Sequence, residues 1–173
     1  HSGRQCTWKR QTQSEDNFRN PIGFDSANGL EFVASRKVLL TLGIHPSRPE
    51  TGYGYIQTGE KATFGTLDNL YNVKTFTEKP DLRMAEIFLD SGEFFWNSGI
   101  FLWNLKAIDN AFNVYLPEVA TKFNSGQAFY NTDKEQDFID EIYPTCPNIS
   151  IDYGIMEKAA NVRVIPLAAY WND

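Results

Sequence analysis

The sequence predicts an α/β domain with a largely parallel or mixed sheet flanked by helices, and three observations support this. The run VLLTLGI (38–44) is apolar and bounded by polar residues, which is typical of a strand buried on both faces. The segment YNVKTFTEKP (71–80) alternates polar and apolar residues and predicts a strand that ends at Pro80. Segments with helical periodicity alternate with such strands along the chain, as in other α/β domains.

The first half of the chain supplies three of the predicted strands. A short helix through Val33 leads into the strand 38–44. The segment HPSRPETGYGY (45–55) is rich in proline and glycine and predicts an extended loop, from which residues 53–57 enter a second strand. A further loop at 65–69 then separates this strand from the third strand, 71–80.

The second half begins with a predicted helix that Pro80 and Asp81 open and Ser91 and Gly92 close. Its apolar stripe consists of Leu82, Ala85, Phe88 and Leu89. The aromatic segment FFWNSGIFLWN (94–104) predicts a strand, and helices follow at 105–115, 117–123 and 132–143. The last of these starts with a capping box, Thr132 with Glu135, and a short helix at 151–160 then precedes a final strand in VRVIPL (162–167).

Composition excludes several classes of function. A chain of 173 residues that is 42% apolar can bury the core of one domain. The net charge of −6 argues against binding to nucleic acid or to an anionic membrane. The absence of a long apolar run and the polar first residues predict a soluble, cytoplasmic protein. Cys6 and Cys146 lie far apart, so neither a disulfide framework nor a zinc site is expected.

Polar residues at strand ends are the candidate site, because ligands of α/β sheets bind beyond the carboxyl ends of the strands. Pro80 biases Lys79 toward an extended conformation, from which its ammonium could contact a ligand phosphate, while Glu78 could accept from sugar hydroxyls. An exposed ion pair before a helix is the alternative. Strict alternation would also send these two neighbouring side chains to opposite faces, unless the strand ends there.

Three other strand-end features are compatible with a ligand site. Gly54, beside Tyr53 in TGYGY, allows the backbone to approach a ligand, although a tight turn would have the same sequence. Asn97 in WNSG both donates and accepts hydrogen bonds, and Gly99 leaves room beside it or forms a β-bulge. Asp173 could bind Mg²⁺ together with substrate phosphates, or be a solvated charge.

Taken together and in order, four segments resemble mannose-1-phosphate guanylyltransferase, also called GDP-mannose pyrophosphorylase. They are TLGIHPSRPETGYGYIQ (41–57), VKTFTEKPDLRMAEIFLDSGEFFWNSGIFLWN (73–104), SIDYGIMEKA (150–159) and WND (171–173). The resemblance implies a Rossmann-like nucleotidyltransferase sheet. It also implies an enzyme that uses GTP, mannose 1-phosphate and Mg²⁺ to form GDP-mannose and pyrophosphate.

The resemblance also implies roles for individual residues. Lys79 would contact the sugar phosphate and is, with Asp173, a predicted catalytic residue. The predicted substrate-binding residues are Tyr53, Gly54, Glu78, Lys79 and Asn97. Asp173 would be a metal ligand. The partners would be the two substrates, and a homo-oligomer stays open.

The family's glycine-rich signature and its PK lysine, which bind the triphosphate, are missing from this sequence. We therefore expect residues 30–173 to be the sugar-phosphate part of a nucleotidyltransferase domain that is incomplete in its N-terminal half. Residues 1–29 are unassigned, tag-like or altered, and the chain by itself is expected to be inactive. A pyrophosphorylase for another sugar 1-phosphate, or a non-catalytic module that binds sugar nucleotides, are the alternatives.

Overall fold

The computed structural model describes residues 26–65 and 67–167, and predictions that fall on 1–25 or 168–173 lie outside these ranges. The helices are α1 (Ser26–Ser35), α2 (Leu82–Ser91), α3 (Leu105–Tyr115), α4 (Pro117–Asn124) and α5 (Glu135–Ile142). The strands are β1 (Leu39–Ile44), β2 (Tyr55–Phe64), β3 (Leu67–Thr77), β4 (Phe94–Leu102) and β5 (Val162–Pro166). A 3₁₀ turn (Tyr143–Thr145) and a π-helical turn (Asp152–Met156) complete the described elements.

The five described strands form one mixed sheet, which confirms the predicted fold class. Their order is β1-β4-β2-β3-β5, and β5 pairs back onto β1, so that the ladder closes on itself. The β1–β5 pair is parallel, whereas the other four described pairs are antiparallel. β2 therefore lies between β3 and β4, which is the arrangement that assembles the candidate site.

Strand β1 is buried along its whole length, as its apolar sequence predicts. Leu40 and Leu42 belong to an apolar cluster that also contains residues of α1 and α2. Leu39 belongs to a second cluster, with residues of α3 and the π-helical turn. The side chains of β1 thus enter the core on both faces of the sheet, and Thr41 is the single buried polar residue of the described core.

Helix α2 follows β3 almost directly and has both of its predicted ends. The Asp81 carboxylate accepts from the Met84 amide at 2.8 Å, and Gly92 ends the helix with φ of 69°. Phe88 packs on the sheet by stacking on Phe94, with ring centroids 4.1 Å apart. Leu82, which we predicted for the same apolar stripe, is 55% exposed, because the contact with the sheet is made further along the helix.

Three predicted boundaries are wrong. β3 begins at Leu67, which pairs with Phe64, so the predicted loop at 65–69 is much shorter. β3 also ends at Thr77, before Pro80, because the chain turns there to enter α2. The predicted helix at 151–160 is a single π-helical turn, followed by a turn and then β5.

The predicted capping box at the start of α5 is also wrong. The Thr132 hydroxyl accepts from the Lys134 amide at 3.2 Å, and the Glu135 carboxylate accepts from the Asn131 amide at 2.6 Å. These side chains accept hydrogen bonds from backbone amides of the turn before the helix, and α5 begins only at Glu135. Separately, none of the helices within 26–65 and 67–167 is long and apolar enough to cross a bilayer.

Replacement of Asp81 by alanine should lower the free energy of unfolding by about 1 kcal/mol, because the Met84 amide loses its only capping acceptor. Urea denaturation measures this change. Asp90→Ala, at the other end of the same helix, is the matched control and should leave stability unchanged or slightly higher. Equal losses in both variants would show that Asp81 does not act as a cap.

Candidate functional site

The candidate site is assembled where three strands lie side by side. Tyr55, the first residue of β2, pairs with Thr77 at the end of β3 on one side and with Trp96 of β4 on the other. Their chain neighbours therefore meet, although they are far apart in sequence: Gly54, Glu78 and Asn97. The Asn97 amide donates to the Gly54 carbonyl at 2.7 Å, which fixes the loop end against β4.

Gly54 allows these neighbours to approach closely. A Cβ at this position would lie 2.5 Å from Oε2 of Glu78 and 3.4 Å from Cβ of Asn97. The first distance is far inside van der Waals contact, so any side chain here would displace the Glu78 carboxylate. Gly54 therefore leaves room for the Glu78 carboxylate in its observed position, whether or not the backbone of Gly54 contacts a ligand.

Glu78 and Lys79 form an ion pair, with 2.5 Å between the Nζ and Oε1 atoms. The Glu78 side chain is only 11% exposed, whereas that of Lys79 is 61% exposed. Glu78 raises the pKa of the Lys79 ammonium, mainly through this hydrogen bond. The predicted alternative, an ion pair before a helix, therefore describes the ligand-free arrangement. The substrate roles of both residues remain predictions.

The predicted extended conformation of Lys79 is wrong, because its φ is 42°, in the left-handed region. The preference of a residue before proline is local. This preference is not met in the short connection between β3 and α2, in which Pro80 is buried and Asp81 already caps the helix. The left-handed residue ends the alternation of the strand, so both charged side chains can turn to the same side. Strained conformations of this kind often occur at functional sites.

Asn97 lies at an irregularity of β4. Thr41 pairs with Phe101, but Gly43 pairs with Asn97, so β4 contains extra residues between these pairs. Gly99, within the extra segment, has φ of 71°, and its amide donates to the Asn97 carboxamide oxygen at 3.1 Å. The bulge that we considered as the alternative is therefore present, and it also orients the Asn97 side chain.

Asp152 also belongs to the site, although no strand-end motif of the sequence includes it. Its carboxylate, on the π-helical turn, accepts from Nδ2 of Asn97 at 3.0 Å. Burial raises the pKa of the Asp152 carboxyl, the charge of Glu78 raises it further, and the hydrogen bond from Asn97 partly offsets both. The residue is part of the segment SIDYGIMEKA, which contributed to the resemblance, but nothing in its spacing linked it to Asn97.

The candidate site is rich in carboxyl groups. Burial raises the pKa of the Glu157 carboxyl, and the charges of Glu78 and Asp152 raise it further. Within the described part of the chain, Lys79 forms the ion pair with Glu78, and the charge of Lys158 acts on Glu157. Such a set can accept hydrogen bonds from ligand hydroxyls through the carboxylates and bind one anionic group through the ammonium.

Tyr53 lies beside this set, because its ring packs edge to face on Trp96, with centroids 5.3 Å apart. Tyr53 and Asn97 line a cavity of about 60 Å³. This is far smaller than a typical ligand pocket, so a ligand would rest on the open side of the site. A larger cavity of about 350 Å³ lies between α3, α4 and residues 143–149, but no charged side chain lines it.

The predicted metal ligand, Asp173, lies outside the described residues. Within 26–65 and 67–167, no group of three or more His, Cys, Asp or Glu side chains could hold a metal ion. The carboxylates of Glu78 and Asp152 are used by Lys79 and Asn97. The metal assignment therefore stays a prediction that depends on Asp173.

Asp152→Asn should make the chain more stable at neutral pH, because it removes a charge that burial and Glu78 disfavour. A folded-state pKa above the unfolded value means that stability falls as pH rises between the two values. The gain of the variant should therefore shrink as pH is lowered through this window. Urea denaturation from about pH 7 to about pH 4 measures it.

Asp109→Asn, at an exposed position of α3, is the control for removing an aspartate charge from the chain. It should not reproduce the gain in stability expected for Asp152→Asn. An Asp152→Asn variant that is less stable than the parent at neutral pH, with the deficit shrinking on acidification, would reverse the expected sign.

The chain is similar over most of its length to curated proteins. The chain is 40% identical over 157 residues to a mannose-1-phosphate guanylyltransferase of Klebsiella pneumoniae, covering 88% of this chain and 32% of that protein. It is 37% identical over 164 residues to the xanthan biosynthesis protein XanB of Xanthomonas campestris, covering 92% and 33% respectively. The resemblance inferred from the motifs is confirmed, and the chain spans about a third of the length of these relatives.

Solved structures agree with the fold. A protein of Thermus thermophilus described as a mannose-1-phosphate geranyltransferase matches with a TM-score of 0.68 and 33% identity, covering 81% of this chain and 38% of that chain. A mannose-6-phosphate isomerase of Helicobacter pylori matches with a TM-score of 0.64 and 23% identity, covering 85% and 56%, and shows the fold alone. The family model for nucleotidyl transferases matches residues 20–173. The chain belongs to the nucleotidyl transferase family.

Proposed function

We propose that this chain forms the sugar-phosphate side of a mannose-1-phosphate guanylyltransferase. The observation that carries the proposal is the convergence of Gly54, Glu78 and Asn97 where β2, β3 and β4 lie side by side, with the Lys79 ammonium paired to Glu78. Hydroxyl-accepting carboxylates next to one cation match a ligand that has hydroxyls and a phosphate. The names of the relatives support mannose 1-phosphate and a guanylyl group as the substrates.

In the proposed reaction, a phosphate oxygen of mannose 1-phosphate attacks the α-phosphorus of GTP. A new P–O bond forms there, the bond from the α-phosphorus to the oxygen of the β-phosphate breaks, and pyrophosphate leaves. Two anions must approach each other, so positioning and charge neutralisation provide most of the rate. No covalent nucleophile of the protein is required.

Each residue of the site has a role in this proposal. The Lys79 ammonium neutralises and orients the sugar phosphate, which is the attacking group. Glu78 accepts from sugar hydroxyls, while Asn97 and the segment of Tyr53 and Gly54 border the ring. Mg²⁺, when bound, would stabilise the charge that develops on the phosphates, and Asp173 is its proposed ligand.

The proposal is tested by turnover in the complete polypeptide that contains these residues, because the chain spans about a third of its relatives. We expect formation of GDP-mannose from GTP and mannose 1-phosphate, measured as release of pyrophosphate. Glucose 1-phosphate in place of mannose 1-phosphate is the comparison substrate. A higher kcat/KM for glucose 1-phosphate would contradict the mannose assignment and favour a pyrophosphorylase for another sugar.

Lys79→Ala in the same polypeptide should raise the KM for mannose 1-phosphate about 10- to 100-fold, since a charge-assisted contact with the sugar phosphate is lost. The KM for GTP should change little. Lys106→Ala, which removes an exposed lysine on α3, is the matched control and should resemble the parent enzyme. Identical kinetics of Lys79→Ala and the parent enzyme would refute a role for Lys79 in substrate binding.

A further inference from the structure

The hydrogen bonds around Asn97 determine which part of its carboxamide can reach a ligand. The carboxamide oxygen accepts from the Gly99 amide at 3.1 Å and lies 3.4 Å from the Thr41 hydroxyl. On the other side, Nδ2 donates to the Asp152 carboxylate at 3.0 Å. One N–H of Nδ2 remains, and it has no partner within the described part of the chain.

The orientation of this carboxamide follows from the chemistry of its neighbours. A rotation by 180° would place the carboxamide oxygen against the Asp152 carboxylate, acceptor against acceptor. It would also place the amino group against the N–H of Gly99, donor against donor. Both contacts would become repulsive, so Gly99 and Asp152 select the same orientation from opposite sides.

Thr41 supports the oxygen side from within the core. It is fully buried in the middle of β1, and its hydroxyl can donate to the Ile100 carbonyl at 3.3 Å or to the Asn97 oxygen. A hydroxyl has one proton, so it serves one acceptor at a time, and both distances are long. Asp152 is therefore the stronger of the two side-chain contacts, because it accepts as a carboxylate at a shorter distance.

We propose that Asp152 is a positioning residue, which holds the Asn97 carboxamide so that its remaining N–H, and not its oxygen, is presented to the ligand. Asn97 then acts as a donor toward an oxygen of the substrate. A carboxamide can both donate and accept, so the sequence by itself left both roles possible. The identity of the ligand rests on the proposed function, since the substrate is taken to be a hexose 1-phosphate. The hydrogen bond from Asn97 to Asp152 is present whatever the substrate is.

The first test needs no activity. In the full chain, the side-chain amide protons of Asn97 are followed by NMR and assigned by their loss in Asn97→Asp. We expect Asp152→Ala to accelerate their exchange with water about tenfold, as loss of a charged hydrogen bond implies. Asp152→Asn keeps an oxygen acceptor and should restore part of the protection. Asp109→Asn removes a carboxylate charge at an exposed position of α3 and should match the parent chain.

The second test uses the complete enzyme. Asp152→Ala should raise the KM for mannose 1-phosphate about tenfold and leave the KM for GTP within about twofold. Asp152→Asn should recover part of this loss, and it also serves as the second variant if Asp152→Ala fails to fold. A merely structural role would lower kcat and stability without separating the two KM values.

A double-mutant cycle distinguishes positioning from direct contact with the ligand. If Asp152 acts through Asn97, Asp152→Ala should change the KM for mannose 1-phosphate less than about twofold in an Asn97→Ala background. Additive effects of the two substitutions would overturn the proposal, and so would unchanged amide exchange in Asp152→Ala. If the parent enzyme does not use mannose 1-phosphate, the proposed function fails, and the NMR experiment alone decides the role of Asp152.

Discussion

The pairing of Tyr55 with a strand on each side is the constraint on which the site depends. Because β2 lies between β3 and β4, one residue pair on each side determines which neighbours meet at the end of the strand. Gly54 suits this arrangement, since a side chain there would occupy the observed position of the Glu78 carboxylate. The site is thus a product of strand register, and a shift of one residue would send its side chains to the opposite face.

Much of the fold could be predicted because its signals are local. The apolar run of β1 and the capped helix α2 each follow from residues adjacent in sequence. Predictions failed where other contacts of the folded chain override the preference that a motif indicates. Lys79 is left-handed where the chain turns between β3 and the capping residue of α2, and the Thr132 hydroxyl accepts from the turn that precedes α5.

The sequence predicted only those parts of the candidate site that have a local signal. Motifs marked Glu78, Lys79 and Asn97 as polar residues at strand ends, but the link from Asn97 to Asp152 joins residues 55 positions apart and has no local signature. Thr41 had a signal that the motif analysis did not use, namely a lone polar residue inside an otherwise apolar run. A buried hydroxyl must find a partner, so its position pointed to a polar group facing β1.

The ion pair of Glu78 and Lys79 bears on how an acidic site could bind an anion. A free phosphate that took the Lys79 ammonium would leave the Glu78 carboxylate, only 11% exposed, without its cation. A ligand with a hydroxyl next to its phosphate could replace the pair at both ends, since the hydroxyl donates to the carboxylate as the phosphate accepts from the ammonium. Discrimination would then arise from the penalty for an unpaired, partly buried charge. By this argument a sugar phosphate, which offers a hydroxyl at a fixed distance from its phosphate, would satisfy both members of the ion pair at once.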